Sequence, residues 1–415
     1  MDLARQMSRM GHQSTVMTYE SDPEGEEGFT PFHNHILIKR YSYEAVPVIS
    51  FARSRTVFRR SLSYASRLLS DTKKTRFYDL FDASIEEAFN KLDLKFDLVH
   101  VCQPVRLSSV AKACKKLSIP IVLTVTDPSL LCPRSLVDVK RELCDGPKKG
   151  EKCVTNCNFD SKIIGRYHDA LSIFNMADEI TTSSKFTASL FRRNDWNRPI
   201  RIVTHSVDYS YVKKPAKNEM GPNDRAIIFG YIGGIVWHKG LHVLVAAFGK
   251  VKSSKVRLNI YGSIHDEPEY ADGIVQLAKY DARIHFKGFF DMVDSPKVMS
   301  NLSVLVVPSV YYDNFPLVVL LGQAYKVPVI GSDIGGIPES VQDGNNGFLF
   351  KPGRTDELAL LMARIAEKPE ILRGLRENIV SPRPIEEEAL DYEAIYRRLV
   401  TKVDFPPDSK NREAF

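Results

Sequence analysis

The chain has 415 residues, 43% apolar and 26% charged, a balance that excludes wholesale disorder and fibrous repeats. Its length exceeds what one hydrophobic core usually organises, so two domains of about 200 residues facing a cleft are expected. The net charge of +6 is modest, and no apolar run approaches the roughly 20 residues of a membrane-spanning helix, which predicts a cytoplasmic protein.

Met1 to Met10 reads as an amphipathic helix with Leu3, Met7 and Met10 on one face. A doubly wound domain normally begins with a strand whose following loop approaches the ligand, so the chain is expected to be truncated at its start. Short Val- and Ile-rich runs then alternate with amphipathic stretches, the pattern of βα units and parallel sheets. In the first half the expected strands are Ser14 to Tyr19, His35 to Ile38, Leu98 to Val101, Ile121 to Val125, Glu179 to Thr182 and Ile200 to Val203. The acidic loop Asp22 to Glu27 reads as a solvated turn. From Arg53 to Arg76, eight Lys or Arg face one acid, Asp71, and are interleaved with aromatics and Leu. As a helix, residues 53–76 would either lie on an anionic membrane surface or present a solvated face over the core. Nucleic acid would feel the same cations, but it is not the expected partner.

His100 and Asp127 end predicted strands, where doubly wound folds bind ligands, and either is a candidate to face an acceptor. A strand-end Asp also serves as a turn cap. Cys132, Cys144, Cys153 and Cys157 share one Pro- and Gly-containing segment with no secretory leader ahead of it. A structural zinc on these thiolates is the first expectation, ahead of free thiols and of a disulfide. The polar stretch Lys213 to Asp224, with Pro215, Gly221 and Pro222, reads as a linker. It divides a first domain, 1–210, from a second, 211–385. A last helix, roughly Glu386 to Val400 within 386–415, is expected to cross back to the first domain.

The second half repeats the pattern, with strands expected at Ala226 to Ile232, Val256 to Tyr261, Ile284 to Phe286, Val304 to Val307 and Pro328 to Ile330. After the first of these comes GYIGGIVWHKGLHVLVAAF, Gly230 to Phe248. Gly233 and Gly234 let backbone approach a ligand closely, and Lys239 offers a compact charge for phosphate. The turn is neither a P-loop nor a dinucleotide fingerprint. From Pro308 to Glu339, a strand end leads through Asp313, Asn314 and Phe315 to Pro316, suited to a helix's first turn. The amides of Leu317 and Val318 would then face an anion such as a diphosphate. Asp313 is placed to accept hydrogen bonds from sugar hydroxyls, with a simple helix cap as the plainer alternative.

At this point the residues resemble the retaining family-4 glycosyltransferases of the GT-B fold. Members read Pro-Ser, an acid, a Phe-Gly or Phe-Pro turn, Leu, a second Glu eight residues after the acid, and a Gly-Gly-x-Pro-Glu turn. The match runs through Pro308, Ser309, Phe315, Pro316, Leu317, Pro328, Ser332, Asp333, Gly335, Gly336, Pro338 and Glu339, and resumes at Asp343, Gly344, Asn346, Gly347 and Phe348. The resemblance implies an α/β protein of two Rossmann-like, doubly wound parallel-sheet domains facing a cleft, with the acceptor side first and the donor side second. It implies a hexosyltransferase of polysaccharide biosynthesis, taking a nucleotide-sugar donor and a saccharide or lipid-linked acceptor. Lys239, Asp313 and Asp127 would stand closest to the chemistry. Gly233, Gly234, Asn314, Phe315, Leu317, Val318 and position 321 would complete the donor site.

Three positions depart from the family pattern. Gly234 stands where a phosphate-binding Arg is usual, Leu321 where a Glu holds the donor ribose, and Thr126 where a His precedes Asp127. Asp313 is itself one methylene shorter than the usual Glu. No Asp-x-Asp pair occurs, so a metal-independent donor site without a cofactor is expected. The departures keep a second reading open, a non-catalytic GT-B protein that binds a nucleotide or a partner.

Overall fold

The structure, a computed structural model, describes residues 1–20, 28–33, 36–53, 83–102, 104–212 and 226–401. The acidic loop Asp22 to Glu27, the basic segment beyond Arg53 and the linker Lys213 to Asp224 lie outside the described residues.

The first half holds two four-stranded sheets over one core. Strands β1 (Val16–Glu20), β2 (Thr30–His33), β3 (Ile36–Tyr43) and β4 (Val46–Arg53) take the order β1-β4-β3-β2. β1 pairs with β4 in parallel, whereas β3 pairs antiparallel with both β4 and β2. Strands β5 (Val99–Cys102), β6 (Ile121–Thr124), β7 (Glu179–Thr182) and β8 (Arg201–Ile202) lie parallel in chain order. Ile36 and Phe51 of the first sheet share a buried cluster with Val101 and Leu123 of the second, joined by Phe174 and Trp196. The sequence pattern anticipates β1, the start of β3 at the expected run His35 to Ile38, and β5 to β8; strands β2 and β4 and the antiparallel pairing are additions to it.

The second half is one parallel sheet of six strands: β9 (Ile227–Ile232), β10 (Val256–Tyr261), β11 (Ile284–Gly288), β12 (Val304–Val307), β13 (Val329–Ser332) and β14 (Gly347–Phe350). Their order is β11-β10-β9-β12-β13-β14. β12 and β13 are buried at every position, as expected for parallel strands covered on both faces by crossover helices. The chain reverses its direction of winding between β9 and β12, which pair Val304 with Phe229 and Leu305 with Gly230. Loops leaving two neighbouring strands at such a reversal splay apart and leave a crevice at the strand carboxyl ends. The loop after β9 holds Gly233 to Lys239, and the loop after β12 holds Pro308 to Pro316. Topology therefore sets the two candidate segments side by side.

The helix Ile385–Thr401 buries Ala389, Tyr392 and Ile395 with Met7 of the helix Asp2–Arg9 and with Val122 and Val203. It thereby closes the far face of the β5–β8 sheet. Beneath it His100 is enclosed: its Nδ1 meets the Tyr396 hydroxyl at 2.6 Å and its Nε2 the Thr124 hydroxyl at 2.6 Å. Burial pushes this imidazole down to about 4, against the smaller opposing pull of Glu388. A residue expected as a candidate to face an acceptor is thus packed under a helix.

Candidate functional site

The carboxylate of Asp313, 7% exposed, is the centre of a polar cluster at the end of β12. Lys239 Nζ donates to both of its oxygens, at 3.1 and 2.9 Å, and Ser309 Oγ donates to Oδ2 at 2.9 Å. The Tyr311 hydroxyl donates to Oδ1 at 2.9 Å and accepts from Lys239 Nζ at 3.1 Å. Burial first, and then the Asp313 charge, raise the Tyr311 phenol far above its ordinary value, so it stays a donor at neutral pH. The charge of Asp127, from the first half, acts on the same phenol, and the carbonyl of its neighbour Thr126 accepts from the Asn314 amide at 2.9 Å, which brings that strand end beside the cluster. Asp127 also accepts from the Ser129 amide at 2.7 Å, the turn cap that is its plainer role.

Glycines make this convergence sterically feasible. Gly240, at φ +73°, lies where a Cβ would come within 1.9 Å of the Pro308 carbonyl oxygen. The backbone there is further tied by the Val310 amide donating to the His238 carbonyl at 3.0 Å. Gly335, at φ +63°, packs on the Asp313 backbone, and the Gly336 amide donates to the Asp313 carbonyl at 2.8 Å. The Gly-Gly-Ile-Pro-Glu turn is thus a rest for the loop that carries the acid.

The remaining candidates divide. The helix Leu317–Ala324 begins beside the cluster with Pro316 as its N-cap and no side-chain cap, and Leu317 is exposed there. Its first amides are therefore positioned for an anion. Gly233 and Gly234 line the neighbouring turn, where the Gly234 carbonyl accepts from the Tyr231 hydroxyl at 2.7 Å. The Phe315 ring stands edge-on to His205, centroids 6.1 Å apart. Leu321 is buried in the core with Leu305, Val319 and Val329. Asn314 turns its amide into the first half, where Thr126 and Ser183 accept from it. Tyr311 escaped the sequence reading, as did Arg141, whose guanidinium lies 5.1 Å from the centre of the Trp237 ring across the two halves; Ser309 was read as part of the motif but not as a partner of the acid. The one available signal was the alternation of Ser309, Tyr311 and Asp313 along one loop.

Of the four cysteines, Cys132 and Cys153 are buried, and all four are free thiols. The interaction of the two buried thiols holds Cys132 down to about 6 and drives Cys153 well up. The Cys144 thiol donates to the Gly146 carbonyl at 3.4 Å. Among the described residues no three or more His, Cys, Asp or Glu side chains are grouped to hold a metal ion.

Comparison with known families decides the assignment. The profile described as Glycosyltransferase Family 4 matches residues 1–211, and that described as Glycosyl transferases group 1 matches residues 212–380. The chain belongs to glycosyltransferase family 4. Among solved structures it resembles a sucrose-phosphate synthase from Thermosynechococcus elongatus, with TM-score 0.68 and 20% identity over 97% of this chain and 92% of that one. It also resembles Anabaena Alr3699/HepE in complex with UDP and glucose, with TM-score 0.61 and 16% identity over 85% and 86%. These likenesses establish the GT-B fold of this family-4 chain, two Rossmann-like domains. In sequence it is 30% identical over 212 residues to the N-acetyl-alpha-D-glucosaminyl L-malate synthase of Bacillus anthracis, covering 48% of this chain and 54% of that protein. It is 26% identical over 170 residues to the alpha-D-kanosaminyltransferase of Streptomyces kanamyceticus, covering 40% and 43%. The chain thus spans about half the length of the curated relatives it matches.

Proposed function

We propose that this family-4 chain transfers a hexose from a nucleotide-sugar donor to a saccharide or lipid-linked acceptor, with retention at the anomeric carbon and without a metal. In this reading residues 1–210 form the acceptor side, 211–385 the donor side, and 386–415 a return to the first domain. The observation that carries it is the Lys239–Asp313 pair, set beside the open amide end of helix 317–324. When the anomeric C–O bond to the diphosphate breaks, negative charge grows on phosphate and positive charge on the sugar ring. Lys239 and the amides of Leu317 and Val318 offset the first, and this is the main electrostatic task of such a site. Asp313, released from Lys239, accepts hydrogen bonds from sugar hydroxyls, while Gly233, Gly234 and Phe315 shape the pocket. Asp127 accepts the hydrogen bond of the acceptor hydroxyl that attacks. A complex of the similar Anabaena protein with UDP and glucose supports a donor of this class.

Two observations favour a second reading, a binding protein without transfer: Leu321 is core and Gly234 brings no cation to the turn. A thermal-shift screen of nucleotide sugars, followed by NMR of any glycoside formed, separates the two. At least one donor should raise the melting temperature of the wild type, fail to do so with Lys239→Ala, and yield product of the donor's own anomeric configuration. Stabilisation without product would favour the second reading. No stabilisation, or equal stabilisation of the variant, would remove the donor site, and an inverted product would remove retention. Residues 53–76 are a proposed membrane contact. Among the described residues no helix is long and apolar enough to cross a membrane.

A further inference from the structure

Asn314 follows Asp313 directly, yet its side chain is only 7% exposed and all its hydrogen bonds cross to the first half. Its Oδ1 accepts from the hydroxyls of Ser184 and Thr187, the latter at 2.8 Å. Its Nδ2 donates to the Thr126 carbonyl at 2.9 Å and to Ser183 Oγ at 3.0 Å. A carbonyl can only accept, so the Thr126 contact fixes which end of the amide is nitrogen. Both donors and both acceptor sites of the amide are therefore used.

A second tie runs beside it. Ser184 caps the helix Lys185–Arg193, and Glu339 of the second half accepts from that helix's first amides, Lys185 at 2.9 Å and Phe186 at 2.7 Å. A carboxylate at a helix N-terminus is favoured both by the free N–H groups and by the helix dipole. Gly336 allows the approach, since a Cβ there would lie 1.6 Å from the Asn314 carbonyl oxygen and 3.2 Å from Ser184 Cβ.

Asn314 and Thr126 are the chain neighbours of Asp313 and Asp127. We propose that Asn314 is a positioning residue: its amide locks the two halves closed and thereby fixes the separation of Asp313 and Asp127 across the reacting centre. This rests on the donor-site reading above and adds the device that aligns its acceptor side. The side chain bonds the other half, so donor affinity and closure are separable.

The test uses the full chain with Asn314→Ala, Asn314→Asp and Thr187→Val. Asn314→Asp keeps the acceptors for Ser184 and Thr187 but turns a carboxylate onto the Thr126 carbonyl. Thr187→Val removes one bond from the opposite half, with little change of shape, should the Asn314 variants fold poorly. Small-angle scattering should show a larger radius of gyration for both Asn314 variants than for the wild type. Turnover should fall about 10- to 100-fold, as a misplacement near 1 Å predicts, while nucleotide affinity stays within about threefold. Thr187→Val should move in the same direction by less and add little to Asn314→Ala, the signature of one shared interaction. An unchanged radius of gyration overturns the lock, and unchanged turnover with a larger radius overturns the coupling. Loss of nucleotide affinity in step with turnover would make Asn314 a donor contact instead. If the wild type binds no nucleotide sugar, the donor reading fails while scattering still decides the lock.

Discussion

Lys239 and Asp313 neutralise each other in this structure, and that sets the order of events at the residue scale. An incoming diphosphate must draw the ammonium from the carboxylate, and Asp313 is then free for the sugar. Asp313→Ala should therefore leave nucleoside diphosphate affinity equal or several-fold higher, measured by calorimetry, while transfer falls about 100-fold. Lys239→Ala should weaken both. Gly240→Ala tests the support beneath the pair. A side chain at φ +73° and 1.9 Å from a carbonyl oxygen combines backbone strain with overpacking, for about 2–4 kcal/mol. Its urea midpoint should drop accordingly, with nucleotide binding lost beyond what the stability change explains. Lys239 and Asp313 were legible from their motifs. Tyr311 was not, because a loop Tyr becomes a buried donor only once β9 and β12 bring Lys239 and Asp313 to either side of it.

Among the elements, the helix Ile385–Thr401 makes a pH prediction. His100 beneath it has a folded-state value pushed from 6.5 to about 4, so the unfolded chain takes up its proton first as pH falls. This contribution is complete above about 6.5 and is lost as pH falls through 6.5 toward 4, for about 3 kcal/mol at most. Urea midpoints at pH 7.5 and 5 should differ more in the wild type than in His100→Gln, and an equal difference would place the loss elsewhere. That helix was visible as a 3.6-residue period, as were the parallel strands as Val- and Ile-rich runs. The hairpin β3–β4 was hidden for two reasons. Its turn uses Glu44 and Ala45, at φ +48° and +66°, instead of the Asn-Gly pair that announces such turns, and Pro47, second in β4, is a residue that argues against a strand. Strand β14 was obscured by its opening glycine and its four-residue length.

For the whole molecule, buried polar groups tie segments far apart in the chain, within the first half as well as between the halves. Arg5 pairs with Asp208 at 3.0 Å and with Asp2 at 2.7 Å, and it also meets Glu44 and the Tyr211 hydroxyl. The Asp208 side chain is only 5% exposed, so Arg5→Ala would leave a buried carboxylate uncompensated, at about 3–5 kcal/mol. A fall in thermal midpoint with nucleotide binding intact in the folded protein is expected. Contacts of this kind cannot be read from a sequence, because they join residues about 200 positions apart that only the completed sheets bring together. The same holds for Asn314, whose motif position suggested a donor contact but whose partners lie 127 to 188 residues away.

The central claim is that the turn after β9 and the loop after β12 form one diphosphate site. Calorimetric titration of the wild type and Lys239→Ala with nucleoside diphosphates tests it most directly. The account predicts saturable binding of at least one diphosphate by the wild type and at least a tenfold loss in the variant. Equal affinities in the two proteins would contradict it.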